Sequence, residues 1–316
     1  MTVPEIKTIL SIQSHVVHGY VGNKSATFPL QCQGWDVDVL NSVNFSNHTG
    51  YGSVKGTKIT LDQLKDLYRG LKDIGTEYDA LLTGYIPNHE ILSYIGEIGE
   101  DIKSKHPESL WLLDPVMGDE GQLYVSESVI PIYKKILLGG LVDIITPNQF
   151  EAEILLDFKI TSIDTLKTAL KEFHTRFKLK NIVISSCSLP EYPNEIITVC
   201  SQITPNSKIH SHYFEVPIIE SYFTGVGDLF SSLLIDRVYK YRNSDSSNYL
   251  ITSVNEVLTI MSKILQTTSK YAEIKTGRKI KSKMGSANTM KEFELKLIQC
   301  RDLYGSTEKT FNSTHL

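Results

Sequence analysis

Residues Ser221–Arg237 read SYFTGVGDLFSSLLIDR. Gly225 and Gly227 bracket a valine directly before Asp228, and a helical apolar pattern begins at once with Leu229, Phe230, Leu233, Leu234 and Val238. A glycine turn entering a helix presents unpaired backbone N–H groups and the positive end of the helix dipole, which together form an anion site. Asp228 there has two readings. It complements the dipole, worth about 0.3–1 kcal/mol, or it is a base poised beside a phosphate. The dipole would depress its pKa and weaken it as a base, but phosphoryl transfer asks mainly for orientation of the nucleophile. The capping reading explains Asp228 but not Gly225 and Gly227 together.

Outward from this turn, short β-rich runs alternate with helical patterns. Strands are expected over 8–12, within 35–45, and over 79–83, 110–113, 142–146, 181–186, 195–203 and 213–216. Helices are expected over 23–33, 61–74, 90–102, 125–138, 249–271 and 290–303, with two more after the strand at 142–146. Alternation of this kind implies right-handed βαβ units, hence an α/β fold of three layers with a central mainly parallel sheet. Nothing in the chain looks like a long linker, so residues 1–305 are expected as one domain. The last residues, 306–316 (STEKTFNSTHL), are expected as a disordered tail.

Composition narrows the function. Of 316 residues, 41% are hydrophobic and the net charge is −4, which argues against a nucleic-acid partner. No apolar run approaches the roughly 20 residues of a membrane span. The first residues, MTVPEIKTILSIQSH, lack the layout of a secretory signal, so a cytoplasmic location is expected. Cys32, Cys187, Cys200 and Cys300 sit at no metal-ligand spacing and read as reduced thiols. His210 and His212 alternate on a strand with no further ligand nearby, and read as surface.

In open parallel sheets, ligands bind beyond the carboxyl ends of the strands. Polar and glycine residues collect there: Ser14 and His15 after the first strand, Asn47 to Gly52 after the second, Thr83 to Tyr85 after the third. Asp114 to Asp119, Thr146 to Glu151, and Ser185 with Ser186 follow. Singly, each serves as a turn or cap; Asn148, for example, suits an N-cap. Turns alone do not require Asp114, Asp119, Asn148 and Glu151 on one rim. Those oxygen ligands suit a hard cation such as magnesium. The P-loop, protein-kinase, dinucleotide and α/β-hydrolase motifs are missing.

The segments SIQSHVVHGYVGNKSATFPLQ, NSVNFSNHTGYG, LLTGY, LLDPVMGDEGQLYV, DIITPNQFEAE and FTGVGDLF run in order from residue 11 to about residue 235. In this the chain resembles the pyridoxal kinases of the ribokinase-like superfamily. The resemblance implies ATP-dependent phosphorylation of the 5′-hydroxymethyl group of pyridoxal, pyridoxine or pyridoxamine. By matching position, Asp228 would be the base, and Gly225, Val226 and Gly227 the backbone anion hole. Ser14, Thr49 and Tyr85 would hold the pyridine substituents, with Val43 and Phe45 packing on the ring. Asp114, Asp119, Tyr124, Asn148, Glu151, Ser185 and Ser186 would lie around ATP. Asp114 and Glu151 would serve its divalent cation (magnesium, with zinc and manganese as alternatives), and Thr146 with Asp114 a potassium ion. A homodimer is implied, in the cytoplasm and also the nucleus.

Two departures matter. Animal-type members carry threonine where this chain has Val226, and the loop after Asp119 is short. They leave open a non-catalytic sensor that binds pyridoxal phosphate; a related kinase for hydroxymethylpyrimidine is the other alternative.

Overall fold

The computed structural model describes residues 6–119, 121–204, 206–244 and 248–316. In chain order the elements are β1 Lys7–Val16, α1 Asn23–Cys32, β2 Trp35–Phe45, β3 Gly56–Lys58, α2 Leu61–Asp73, β4 Ala80–Thr83 and α3 His89–Lys105. Next come β5 Leu110–Leu113, a hairpin of β6 Gly118–Asp119 and β7 Gln122–Leu123, α4 Ile130–Leu138, β8 Ile144–Ile145, α5 Gln149–Leu156 and α6 Ile163–Arg176. The chain closes with β9 Asn181–Cys187, β10 Glu195–Ile203, β11 Ile209–Pro217, α7 Val226–Tyr241, α8 Tyr249–Thr276, the short α9 Ala287–Met290 and β12 Ser313–His315.

Ten strands form one sheet in the order β12-β11-β10-β9-β8-β5-β4-β1-β2-β3. Strands β2, β1, β4, β5, β8 and β9 run parallel, while the pairings toward both edges are antiparallel. Side-chain alternation sends neighbouring strand residues into opposite layers. Leu10, Ile12, Leu81 and Leu113 enter the core under α2 to α6. Ile9, Ala80, Leu82 and Leu112 enter the core under α1, α7 and α8. The three-layer α/β/α reading holds.

Capping signals start several helices where the sequence places them. Thr60 with Gln63, and Asn148 with Glu151, form complete capping boxes, and the Asn88 side chain accepts the Ile91 N–H. Three expectations need correction. The helix expected from Val125 begins only at Ile130, because Pro131 fixes the first turn; a 3₁₀ turn precedes it. The helix expected over 290–303 does not form. Phe293, Leu295 and Leu297 are buried, and short 3₁₀ turns over Lys291–Phe293 and Arg301–Leu303 stand in place of a continuous helix. The expected disordered tail is ordered. Edge strand β11 offers unpaired backbone, and β12 fills it, with Phe214, Tyr213 and His212 opposite Ser313, Thr314 and His315.

The four cysteines are free thiols, three of them buried. His212 is half-buried against the ring of His315, centroids 5.1 Å apart. Among the described residues no helix is long and apolar enough to cross a membrane.

Candidate active site

Two helix N-termini meet beyond the carboxyl ends of the central strands. The N-cap of α7 is Gly225, at φ 73°, and a Cβ there would lie 1.8 Å from the Tyr20 carbonyl oxygen. The N-cap of α1 is Gly22, at φ 54°, and a Cβ there would lie 2.0 Å from the Ser14 carbonyl oxygen. Only glycine accepts both the conformation and the contact. Ser25 Oγ donates to the Gly225 carbonyl at 3.1 Å and ties the two turns together.

Gly227 differs. It is exposed in the first turn of α7, and a Cβ there would meet nothing nearer than Asp114 Oδ2, at 3.9 Å. No packing among the described residues requires glycine there. A bound group approaching the helix mouth would. The first turn leaves the N–H groups of Val226, Gly227 and Asp228 without intrahelical acceptors; the first closing bond is Leu229 N–H to the Gly225 carbonyl, at 3.0 Å.

Asp228 lies among these donors and receives the Gly22 N–H. The dipole was expected to lower its pKa. Crowding out of water wins instead, and the carboxyl is pushed up to about 6 despite that hydrogen bond. Asp114, at the end of β5, faces it. Loss of water and then the charge of Asp228 push Asp114 up to about 8, while the Ser231 hydroxyl, donating at 2.9 Å, opposes the shift. Ser231 and Thr146 hydroxyls lie 3.1 Å apart, so Asp114, Ser231 and Thr146 form one buried oxygen cluster. Sequence reasoning missed Ser231, although its i+3 spacing from Asp228 puts both on one face of α7.

Glu151 is buried and its pKa stands well above the carboxylate range, from burial and then from Asp114. Its oxygens accept backbone N–H groups of Met117 at 2.8 Å, Gly118 at 3.4 Å and Asn148 at 2.9 Å. Asn148 accepts the Glu151 N–H at 2.9 Å and donates to the Gly118 carbonyl at 2.8 Å. The two side chains therefore pin the β6–β7 hairpin onto α5. The hairpin carries Asp119, exposed, and Tyr124, 46% exposed with its N–H on the Met117 carbonyl, outside the buried cluster. Ser185 donates its backbone N–H to the Pro147 carbonyl at 2.9 Å, and Ser186 is half-buried beside it on β9.

The opposite wall comes from β1 and β2. A register shift at Gln13/Ser14 sets Ser14 beside Val43 and Val16 beside Phe45. Val43 is fully buried while Phe45 remains partly exposed. Thr49 is exposed at the start of a 3₁₀ turn that His48 caps through Nδ1, which accepts the Gly50 N–H at 3.1 Å. Tyr85 follows β4, its hydroxyl pKa raised by burial and its carbonyl held by Ser42 Oγ at 2.7 Å.

Among the described residues no three His, Cys, Asp or Glu side chains group as a resident metal centre. Glu151 has its oxygens taken by backbone donors. Asp114 with its hydroxyl neighbours is the oxygen set that fits a cation arriving with an anionic ligand.

A parallel sheet with a glycine turn, a helix mouth and a first-turn aspartate at its strand ends defines the ribokinase-like small-molecule kinases. The sequence profile of the phosphomethylpyrimidine kinase family matches residues 31–248. The Saccharomyces cerevisiae protein named "Putative pyridoxal kinase BUD16" is 50% identical over 303 residues, 94% of each chain. The human pyridoxal kinase is 35% identical over 304 residues, 93% of each chain. The pyridoxal kinase of Leishmania donovani, solved in complex with ADP and pyridoxine, superposes with a TM-score of 0.84 at 30% identity, covering 98% of this chain and 99% of that one. The chain belongs to the pyridoxal kinase family.

Proposed function

We propose that this protein transfers the γ-phosphoryl group of ATP to the 5′-hydroxymethyl oxygen of pyridoxal, pyridoxine and pyridoxamine. One observation carries the reading. The Asp228 carboxyl, poised near pH 6, sits at the mouth of α7 beside N–H groups that no acceptor in the helix uses. Asp228 takes the hydroxyl proton, the freed oxygen bonds to the γ-phosphorus, and the bond from phosphorus to the ADP oxygen breaks. The N–H groups of residues 225–227 meet the charge on the moving phosphoryl. A carboxylate with a raised pKa is a stronger base than a free one, so burial serves the chemistry.

Phe45, with Ser14, Thr49 and Tyr85 around it, suits a flat heteroaromatic ring with polar substituents. Asp114 would hold the divalent ion that travels with the phosphates and neutralises their charge, while Glu151 and Asn148 hold the hairpin beside the nucleotide. The Asp114–Ser231–Thr146 oxygens support a potassium site. The family resemblance supports a homodimer, which light scattering checks.

The test is a kinase assay with ATP and magnesium, with and without potassium, across the three vitamers and hydroxymethylpyrimidine. The family profile named for phosphomethylpyrimidine kinase gives that last substrate its place. Turnover is expected with the vitamers. Turnover of hydroxymethylpyrimidine alone would move the assignment to that substrate. Saturable binding of pyridoxal phosphate with no ATP consumption would make the protein a sensor.

A further inference from the structure

The segment 282–296, which carries the short α9 and a 3₁₀ turn over Lys291–Phe293 before the chain extends at Glu294, touches three loops of the site. Ser282 N–H donates to Ser221 Oγ at 2.9 Å and the Ser282 carbonyl accepts Tyr222 N–H at 3.3 Å, just before the glycine turn. The Phe293 ring packs edge-on against Phe223, centroids 5.6 Å apart. Gly285 N–H donates to the Gly50 carbonyl at 2.9 Å.

Glu294 makes the tightest of these connections. One carboxylate oxygen accepts the Tyr20 N–H at 2.9 Å, and the other accepts the Tyr51 hydroxyl at 2.6 Å. The residue is only 6% exposed. A Cβ on Gly19 would lie 2.4 Å from its Oε1, so the carboxylate sits directly on the backbone of the β1–α1 loop. Burial and this bond raise the Tyr51 pKa, so the phenol keeps its proton and donates. The Tyr51 ring also meets His18 edge-on at 6.2 Å. Phe293 and Leu295, its neighbours in the chain, are buried, and Lys296 N–H is anchored on Thr268 of α8 at 3.1 Å. Glu294 leaves the 3₁₀ turn at φ −59° and ψ 130°, with its carboxylate against the loops.

We infer that Glu294 is a positioning residue that clamps the loop after β1 to the turn after β2, fixing Thr49 and Gly22 on opposite sides of the substrate hydroxyl. One bidentate carboxylate joins the Tyr20 backbone, two residues before Gly22, to the Tyr51 ring, two residues after Thr49. It touches neither reacting group. Its effect is to hold the vitamer side of the cleft while leaving the nucleotide side, on α5 and the β6–β7 hairpin, untouched.

The inference rests on the vitamer-kinase reading for its kinetic test, and has a second readout that does not. Removing two charge-assisted hydrogen bonds in Glu294→Ala should raise the KM for pyridoxal by about tenfold while the KM for ATP stays within about twofold. Glu294→Gln keeps one acceptor for Tyr20 and an amide that can donate to the Tyr51 oxygen, so it should recover most of the loss. Tyr51→Phe should raise the same KM by less, and combining it with Glu294→Ala should add little. Tyr304→Phe, which removes a bond to the Leu297 carbonyl just after that segment, controls for stability alone. Equal rises in both KM values, or a melting-point drop with no KM change, would overturn the clamp. If the wild-type protein fails to phosphorylate any vitamer, the functional reading falls, and hydrogen exchange still decides the clamp. Amides of residues 50–52 should exchange faster in Glu294→Ala and Tyr51→Phe than in wild type; unchanged exchange would refute it.

Discussion

Gly225 meets Tyr20 backbone to backbone, so closely that a single added methyl would fall 1.8 Å from the Tyr20 carbonyl oxygen. A Cβ on Gly227, two residues on, would meet only Asp114 Oδ2, at an ordinary 3.9 Å. The two glycines therefore answer different demands, one from the fold and one from a ligand. Gly225→Ala should lower the melting point by several degrees and abolish activity with it. Gly227→Ala should leave the melting point unchanged or raise it, since alanine favours a helix over glycine by about 1 kcal/mol, while phosphorylation falls at least about tenfold. Calorimetry beside a kinase assay separates the two, and matched stability losses would remove the argument for a bound group at the helix mouth.

Asp228 is a base only while ionised. With its carboxyl pushed up to about 6 by loss of water, activity should rise with pH through a one-proton limb near that value. Carbon-13 NMR of the aspartate carboxyls in the ligand-free protein should show a midpoint near 6 that Asp228→Asn removes. Asp228→Ala should lower turnover by at least about a hundredfold with the fold intact. A midpoint at or below the usual carboxylate value would mean that the helix dipole dominates after all.

Asp114 is expensive to ionise. Its folded pKa, about 8, stands above the unfolded value of about 3.9. The folded state therefore binds its proton more tightly, and the stability this supplies is complete below about pH 4 and lost as pH rises toward 8. Asp114→Asn cannot lose a proton, so its stability relative to wild type should grow between pH 5 and 8, reaching a few degrees in melting temperature, on the order of 1 kcal/mol or more. Denaturant titrations at both pH values check the sign, and activity should fall in the same variant.

The sheet and the strand-end site were legible because their signals are local. Period-two and period-3.6 patterns set the layers, and glycines with carboxylates marked the strand exits. The reading of 290–303 failed because Met290, Phe293, Leu297 and Cys300 repeat at helical spacing in the sequence, and only the packing of this segment on α8 decides against a continuous helix. Glu294 was lost with it. The pKa of Asp228 was misjudged because the dipole is visible in sequence while the loss of water around the folded carboxyl is not.

The tail was illegible for a related reason: nothing in STEKTFNSTHL forms structure without β11 and α8. Asn255 binds Phe311 through both its backbone carbonyl and N–H, at 2.6 and 3.2 Å, and Thr259 accepts the Thr310 N–H at 3.0 Å. Removing residues 309–316 should lower the melting temperature by several degrees and raise aggregation by baring the β11 edge. Activity should hold within about twofold, because β12 lies at the far end of the sheet from β1 and β2. Loss of activity in a well-folded truncation would tie the tail to the site.

Val226 begins α7, and its side chain packs against the core shared by α1, α7 and α8. That contact gives the valine a role apart from any ligand. An anion hole of backbone N–H groups needs no hydroxyl there, so wild type should be active. Val226→Thr places a hydroxyl against apolar neighbours and should cost about 1 kcal/mol of stability. It also offers one neutral hydrogen bond toward phosphate, worth about 0.5–1.5 kcal/mol, so turnover or the KM for ATP should change by about tenfold at most. Steady-state kinetics on the purified pair decides. A variant that switches on an otherwise inactive wild type would identify the natural protein as the pyridoxal-phosphate sensor instead of the kinase.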